Sequence, residues 1–278
     1  MPWLASWGVI IAVFMSLLSC KPTYLADFIT ISVDTAYVYD TDSQYYLSNT
    51  SFITSLFASS GSENWGVFPV PGKMIIPCKE ADSVRLFVRA GVRRNGQSGD
   101  QIPYFAYEPI DTKIICSTYS FQWTPVFRYV DTTKIRMLFR EGFELTQRMY
   151  PMAGTIGYRQ QEEVRSGNWA YLFRATKGQL VRTDTFHVEG ASTTETFIEI
   201  DYKSDANFLI QAYLYGSHFP YRDIMVVFAT EKWKKLYVDL SPLMAEGAKR
   251  MHVSFIFTED SSGLRTLYLD NVKVLTRR

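Results

Sequence analysis

The chain has few of the residues on which most catalytic and metal centres depend, with three Cys and three His in 278 residues. His187, His218 and His252 are widely spaced, and there is no His-Glu-x-x-His, Cys-x-x-Cys or Gly-x-Ser-x-Gly motif. A glycine-rich phosphate loop is also absent. The adjacent Glu162 and Glu163 are interpreted as part of a solvated charged face, because nothing pairs them across a cleft. We therefore predict a protein that is not an enzyme.

The chain also lacks a strong net charge of either sign. It has 29 Lys and Arg and 28 Asp and Glu, which gives a net charge of +1. The short basic pair Arg93-Arg94 is the main cluster. A nucleic-acid-binding domain needs a basic patch, so we expect no nucleic-acid partner. With 47% hydrophobic, 15% aromatic and 21% charged residues, the composition is that of a folded globular protein.

The N-terminus lacks Lys and Arg throughout residues 1–19, yet it carries an apolar run over residues 9–18. Leu17-Leu18-Ser19-Cys20 closes this run as a lipobox, so we predict a lipoprotein signal peptide over residues 1–19. Cys20 would then carry a lipid such as palmitate, followed by an anchor linker over residues 20–26. A secretory signal normally begins with basic residues, which leaves open an uncleaved anchor or a different start.

Lipidation of Cys20 would leave two further cysteines, Cys78 and Cys116. An oxidising compartment favours a disulfide between them. Two buried free thiols are the alternative, and the sequence leaves both open.

Short segments rich in Val, Ile, Tyr, Phe and Thr recur between Gly, Pro, Asn and Asp, which predicts an all-β fold. The chain after Cys20 exceeds the usual size of one domain, so we expect two β-sandwiches, residues 27–131 and 132–278. One short helix is predicted over residues 242–248, with Ser241 as its N-cap. A long loop is expected over residues 152–167. The predicted strands are 83–90, 197–202, 208–215, 225–228, 236–240, 251–257 and 266–275.

Several segments of the second predicted domain carry a family resemblance. They resemble the galactose-binding-like jelly-roll modules of bacterial surface lipoproteins. These segments are Phe143-Glu144, Ile198-Glu-Ile-Asp-Tyr-Lys, Trp233-Lys-Lys-Leu-Tyr-Val-Asp-Leu and Leu267-Tyr-Leu-Asp-Asn-Val-Lys-Val.

The first predicted domain resembles the N-terminal Ig-like domain of uncharacterised two-domain lipoproteins from Bacteroidota-type bacteria. The resemblance implies an Ig-like sandwich, a jelly roll and a lipid-anchored place at the outer membrane. Its motifs are strand ends, turns and core residues, so it implies little about a ligand. The first-domain segments that carry this resemblance are Trp65-Gly-Val-Phe-Pro-Val-Pro, Leu86-Phe-Val-Arg-Ala-Gly-Val-Arg-Arg-Asn-Gly and Ile102-Pro-Tyr-Phe.

In a jelly roll the first and last strands pair, which would bring Phe143-Glu144 close to Leu269-Asp270-Asn271. Similar modules often hold a structural Ca²⁺ at this junction, and oxygen ligands suit that ion. The resemblance therefore makes Glu144 and Asp270 candidate calcium ligands. Hydrogen bonds from these side chains to strand-end backbone groups are the alternative. No other cofactor is expected.

Aromatic side chains are plentiful in the second domain and can stack on sugar rings. Trp169, Tyr171, His218 and Tyr221 are the candidate ligand-binding residues. The loop 216–222 is the clearest candidate segment, because it mixes rings and hydrogen-bond donors between two strands. Aromatics at strand period are otherwise more often core residues.

Asp34-Thr-Ala, Asp82-Ser-Val and Asp131-Thr-Thr match the Asp-Ser/Thr-apolar (or Thr) pattern at which exported proteins of such bacteria are O-glycosylated. Thr35, Ser83 and Thr132 are the candidate acceptors. Asp side chains that bond their own backbone in β-turns are the alternative.

Two functions fit these observations. The first is a noncatalytic partner-binding or accessory subunit of a cell-envelope complex, and the second is a glycan-binding lipoprotein of a polysaccharide-uptake system. We favour the first at this point, because the matched residues are framework residues. The expected partners are the membrane, through the lipid anchor, and envelope proteins or glycans.

Overall fold

Alternating apolar and polar residues form strands along the whole described chain. The computed structural model describes residues 28–39, 50–78, 83–116, 120–259 and 263–278. The predicted signal peptide, the anchor linker and Cys20 lie outside these residues. Within them, 22 strands are joined by loops and one four-residue helix, so the all-β prediction is confirmed.

The described residues between 28 and 130 form a first β-sandwich whose facing sheets enclose an apolar core. Its strands are β1 Phe28–Val33, β2 Tyr37–Val38, β3 Ser55–Ser60, β4 Glu63–Pro69, β5 Gly72–Pro77, β6 Ser83–Arg93, β7 Gln101–Pro103, β8 Ile110–Ile115, β9 Phe121–Gln122 and β10 Val126–Phe127. One sheet has the order β5-β1-β9, a second pairs β10 with β2, and a third has the order β4-β3-β6-β7 with β8 also on β6. In β1, Ile29, Ile31 and Val33 are buried and alternate with more exposed residues.

A disulfide joins Cys78 and Cys116 within this first sandwich. Cys78 follows β5 and Cys116 follows β8, so the bond connects strands of two different sheets. Of the two alternatives that the sequence leaves open, the structure has the disulfide.

Residues 135–277 form a second, jelly-roll sandwich of two six-stranded sheets. Sheet I has the order β13-β14-β22-β17-β20 with β11 also on β22, and sheet II has the order β12-β15-β21-β18-β19 with β16 also on β21. The strands are β11 Ile135–Glu141, β12 Met149–Pro151, β13 Ile156–Gln160, β14 Ala170–Ala175, β15 Leu180–Thr183, β16 Phe186–His187, β17 Thr196–Ser204, β18 Phe208–Tyr215, β19 Tyr221–Val227, β20 Thr230–Asp239, β21 Arg250–Phe257 and β22 Arg265–Arg277. The first and last strands, β11 and β22, pair antiparallel as expected, with Glu141 opposite Val272.

The first sandwich covers part of the outer face of sheet I. Phe197, Tyr237 and Leu275 of sheet I belong to the same apolar cluster as the core of the first sandwich. The turn after β6 also docks on the edge of β20, where the Asn95 amide donates to the Tyr237 carbonyl over 2.9 Å. The two sandwiches therefore share one continuous core at their junction.

Two local predictions were wrong. Residues 152–167, expected as a loop, contain the edge strand β13, whose sequence Ile-Gly-Tyr-Arg-Gln has little apolar alternation because it lies at a sheet edge. The predicted helix over 242–248 is only α1, Ser241–Met244, and its N-cap is Leu240. The Ser241 hydroxyl instead accepts the Thr196 amide over 3.0 Å, which ties the turn to β17.

None of the helices in the described part of the chain has both the length and the apolar character needed to cross a membrane.

Candidate functional site

The outer face of sheet II carries a row of polar side chains, one from each of five adjacent strands. Strand pairing places Tyr150 opposite Arg182, Arg182 opposite Ser254, Ser254 opposite Gln211, and Gln211 opposite Asp223. Adjacent strands lie about 4.8 Å apart, so this polar row spans the whole width of the sheet. The Gln211 amide donates to Asp223 over 2.6 Å.

Beside the polar row lies a cluster of three tyrosines and one histidine. Tyr221, Tyr213 and His252 are directly opposite one another on β19, β18 and β21. The rings of Tyr213 and His252 stack with centroids 5.2 Å apart, and Tyr215 and Tyr221 each meet Tyr213 edge-on at 4.8 Å. We call these four residues the tyrosine–histidine cluster. Tyr221 is 63% exposed, so the cluster opens to solvent.

Hydrogen bonds fix the ring orientations within the cluster. The Tyr215 hydroxyl lies 3.2 Å from His252 Nδ1 and 3.2 Å from the Thr185 hydroxyl. Burial, together with the nearby positive charge of Arg182, lowers the pKa of His252 to about 4. The imidazole is therefore neutral near pH 7 and offers one donor and one acceptor nitrogen.

Two arginines border the cluster. The Arg250 guanidinium lies 5.5 Å from the centre of the Tyr215 ring, and that of Arg182 lies 5.9 Å from the Tyr150 ring. Tyr150 is 46% exposed. The face therefore combines ring surfaces, hydroxyls, an amide and guanidinium groups, which can stack on and hydrogen-bond a hydroxylated ligand.

The predicted ligand-binding residues divide between the two sides of the second sandwich. Tyr221 belongs to the tyrosine–histidine cluster, and His218 is exposed in the turn that leads into β19. Arg222 and Glu246 hold the base of this turn through two hydrogen bonds of 2.8 and 2.5 Å. The loop 216–222 thus forms one rim of the face.

The other two predicted ligand contacts are not on this face. The prediction that Tyr171 contacts a ligand was wrong. Tyr171 lies on the inner side of β14, is fully buried and stacks on Phe143 with centroids 5.5 Å apart. Trp169 is half-buried beside sheet I, where the Arg159 guanidinium lies 4.5 Å from its ring. Neither residue therefore meets Tyr221.

The expectation that aromatics at strand period are core residues fails for Tyr213 and Tyr215 of β18. In β18 the buried residues are Phe208, Ile210, Ala212 and Leu214, which strictly alternate with the outward ones. This alternation places both tyrosines on the outer face together with Gln211. The alternation in β18 was thus enough to predict that Tyr213 and Tyr215 face outward. Tyr150, Arg182 and His252, in contrast, join this face only through the pairing of distant strands.

Glu144 and Asp270, the candidate calcium ligands, both bind backbone amides of the loop 162–169. Glu144 Oε1 accepts the amides of residues 168 and 169 over 2.8 and 3.1 Å. Asp270 Oδ2 accepts those of residues 165 and 166 over 3.2 and 3.1 Å. The described residues contain no group of three or more His, Cys, Asp or Glu that could hold a metal ion. This arrangement gives both carboxyl groups a structural role in holding the loop.

A buried ionic cluster lies where the first sandwich covers sheet I. Glu199 accepts hydrogen bonds of 2.8 Å from the hydroxyls of Tyr104 and Tyr129, both in the first sandwich. The ammonium groups of Lys235 and Lys273 lie 3.2 and 3.6 Å from Glu199 Oε2. Burial would raise the pKa of Glu199, but the two lysines outweigh it and lower that pKa. A charged glutamate therefore connects the two sandwiches.

Asp201 extends this cluster. Its Oδ2 accepts the Thr50 hydroxyl over 2.5 Å and the Asn271 amide over 2.9 Å, and Lys235 Nζ lies 3.5 Å away. Asp270 is directly opposite Asp201 in the sheet. Burial and the nearby Asp201 charge raise the pKa of Asp270 to about 8. With Asp270 protonated, the carboxylates of Glu199 and Asp201 face the ammonium groups of Lys235 and Lys273, and Arg165 Nε lies 3.9 Å from Asp201 Oδ1.

A separate cleft of about 500 Å³ lies between the two sandwiches. Phe52 and Arg93 line it from the first sandwich, and Val226, Phe228 and Lys234 line it from the second. Phe228 is 74% exposed. This cleft combines apolar walls with positive charge.

The three candidate glycosylation acceptors lie at or near the surface. Thr132 is exposed, and Thr35 and Ser83 are partly exposed. Asp131 accepts the Thr133 amide over 2.7 Å, which is the turn bond of the alternative interpretation. That bond leaves the Thr132 hydroxyl accessible.

No protein-family model and no curated protein matches this chain. Solved structures resemble about half of it. The CBM22-2 xylan-binding domain of Paenibacillus barcinonensis Xyn10C is 13% identical with a TM-score of 0.38, over 50% of this chain and 99% of that domain. The K2 cleaved adhesin domain of Lys-gingipain is 12% identical with a TM-score of 0.37, over 49% and 98%. TmCBM61, solved with β-1,4-galactotriose, is 14% identical with a TM-score of 0.35, over 49% and 94%. At these values the similarities carry no inference about a ligand.

Proposed function

We propose that the outer face of sheet II binds a glycan, without catalysis. The observation that carries this proposal is the tyrosine–histidine cluster beside the polar row. Tyr221 and Tyr213 offer ring surface to the apolar face of a sugar. Gln211, Asp223 and the neutral His252 offer donors and acceptors to sugar hydroxyls. This exposed combination supports glycan binding over the partner-binding role that the framework residues alone favoured.

The test is a glycan array with the full-length protein, followed by calorimetry on each glycan that binds. We expect Tyr221→Ala and Tyr213→Ala each to weaken binding at least tenfold, about 1.4 kcal/mol, because each removes a stacking surface. Tyr158→Ala is the matched control, since Tyr158 is 48% exposed but lies on β13 in the opposite sheet. Absence of binding to any glycan, or an equal loss with Tyr158→Ala, would contradict the proposal.

A second candidate function is docking of an envelope protein in the cleft between the sandwiches. The exposed Phe228 and the positive charges of Arg93 and Lys234 favour a partner that presents apolar and acidic side chains. A photo-crosslinker at residue 228 should then label one envelope protein in native membranes, and the same group at residue 158 should not. Phe228→Asp should abolish co-purification of that same protein. Labelling at neither position would count against this function.

We further propose that Cys20 is lipidated and holds the protein at the outer membrane. The apolar run over residues 9–18 and the Leu-Leu-Ser-Cys sequence support this location. Two or more acyl chains are enough for stable anchoring. Labelled palmitate should enter the wild-type protein and not Cys20→Ala, and an unlabelled wild-type protein would refute the proposal.

A further inference from the structure

The charges of the sheet II face extend the proposed function to a class of glycan. Resting on that function, we propose that the ligand is an acidic oligosaccharide whose carboxylate or sulfate groups are bound by Arg182 and Arg250. Both side chains project from the outer face, on β15 and β21. Each borders the tyrosine–histidine cluster, on opposite sides of His252.

Within the described ranges, no carboxylate lies at ion-pair distance from Arg182 or Arg250. Other arginines of the same sandwich are paired, for example Arg148 with Asp184 at 3.4 Å and Arg222 with Glu246 at 2.5 Å. The face therefore retains two positive charges that a ligand can use.

The carboxylates around this face are either paired with a cation or distant from the two arginines. Asp223, at the far end of the polar row, accepts the Gln211 amide. Glu246 is bound by Arg222, and Glu189 lies 3.4 Å from Lys249. Glu246 and Glu189 are thus paired with cations, whereas Asp223 has a neutral amide partner but lies three strand spacings from Arg182, about 14 Å.

Stacking orients both guanidinium groups before a ligand arrives. Arg182 lies over Tyr150 and Arg250 over Tyr215, at 5.9 and 5.5 Å from the ring centres. A stacked guanidinium keeps its N–H edge free, and that planar edge matches the oxygens of a carboxylate or sulfate in two parallel hydrogen bonds. Because the side chains are partly immobilised, less conformational entropy is lost on binding.

The spacing of the two arginines indicates the size of the ligand. Arg182 is directly opposite Ser254 on β21, and Arg250 lies four residues earlier on that strand. Four residues of a strand extend about 13 Å, so one monosaccharide does not reach both positions. His252 lies between them on the same face and is neutral. The geometry therefore suits an oligosaccharide that runs along β21 with two of its acidic groups about 13 Å apart.

The test measures affinities of the full-length protein for three probes: oligogalacturonate, which carries only carboxylates, dextran sulfate, which carries only sulfates, and a size-matched neutral galactan oligosaccharide. We expect at least one acidic probe to bind at least tenfold more tightly than the neutral one, with affinity falling as salt rises. The tighter of the two acidic probes identifies the anionic group. Equal affinity for acidic and neutral probes would overturn the inference.

Charge-removing variants assign the effect to the two arginines. Arg182→Gln and Arg250→Gln should each weaken binding of the acidic probe at least tenfold and weaken binding of the neutral probe much less. Arg174→Gln is the control, because Arg174 is an exposed arginine on β14 of the opposite sheet. Equal losses in Arg174→Gln, or equal losses for acidic and neutral probes, would refute the assignment. A thermal melt checks that every variant is folded.

The outcomes also separate this inference from the function on which it rests. Binding of only the neutral probe, lost in Tyr221→Ala, would refute acidic recognition and leave glycan binding intact. Failure of every glycan to bind would refute both.

Discussion

Lys235 Nζ and Asp201 Oδ2 lie 3.5 Å apart on directly opposite residues of β20 and β17, and both side chains are fully buried. Burial would lower the pKa of Lys235, but Asp201 and Glu199 outweigh it and raise that pKa. Lys235 therefore keeps its positive charge in a place that water does not reach. Because Glu199 and Asp201 also bind Tyr104 and Thr50 of the first sandwich, the pair helps to fix how the two sandwiches join.

Lys235→Met should strongly destabilise the protein. The change removes the cation from a buried cluster and leaves Asp201 without its ammonium partner, which typically costs 3–5 kcal/mol. Lys234→Met is the matched control, because Lys234 is the exposed neighbour on the same strand. Urea unfolding of both variants makes the comparison, and similar losses of unfolding free energy in both would contradict the role of the buried cluster.

Asp270→Asn should change the pH dependence of stability. Asp270 has a pKa of about 8 in the folded protein, whereas an unfolded Asp titrates near pH 4. Between these values the folded state holds a proton that the unfolded state has lost. Stability therefore falls as pH rises, by up to about 1.4 kcal/mol per pH unit, and levels off above the folded pKa.

The measurement is the unfolding free energy between pH 6.5 and 8. This window avoids His252, whose lowered pKa of about 4 makes stability fall as pH drops below 6.5. The wild-type slope should disappear in Asp270→Asn and persist in Asp223→Asn, which changes an exposed carboxyl of β19. A slope that survives in Asp270→Asn would show that another group titrates.

Loss of the Cys78–Cys116 disulfide should destabilise the first sandwich. The two residues are 38 apart in the sequence, and a loop of this length predicts a loss of about 4 kcal/mol on the chain-entropy model. The variant Cys78→Ser/Cys116→Ser should therefore unfold at lower urea concentration. Dithiothreitol should lower the midpoint of the wild-type protein and leave that of the double variant unchanged; equal shifts in both would contradict the prediction.

Gly157→Ala should destabilise sheet I, and Tyr171→Phe should partly restore it. A Cβ at residue 157 would overlap the Tyr171 hydroxyl and lie 2.9 Å from Pro151 Cβ. The Tyr171 hydroxyl is buried without a hydrogen-bond partner among the described residues, so its removal alone costs little. Double-mutant analysis of thermal melts should give a coupling above 0.5 kcal/mol. Strictly additive effects would refute this contact, and glycan binding should be unchanged in Tyr171→Phe.

The all-β class and the outline of most strands follow from local alternation, as in β18, where every second residue from Phe208 to Leu214 is buried. Alternation alone shows which residues share a face and does not show what covers that face. Glu199 and Asp201 occupy the polar side of β17, a pattern typical of a solvent-facing surface, but the first sandwich covers them. The candidate face shows the reverse case. Tyr213 and Tyr215 are of a residue type common in cores, but they lie at the surface.

Pairing between distant strands also lies beyond local pattern. Arg182, Ser254 and Gln211 come from three separate parts of the chain and become neighbours only through the order β15-β21-β18. Their individual positions in the sequence do not predict a shared site, because isolated polar residues on strands are common. The disulfide could not be predicted for the same reason. Cys78 and Cys116 approach each other only when two sheets of the first sandwich pack together.

The arrangement of the two sheets determines the direction in which the protein presents its candidate face. The first sandwich sits against the outer side of sheet I, and the tyrosine–histidine cluster lies on the outer side of sheet II. The outer sides of one sandwich point in opposite directions, so the first sandwich acts as a spacer behind the cluster. Tyr221 and its neighbours are therefore directed away from the first sandwich.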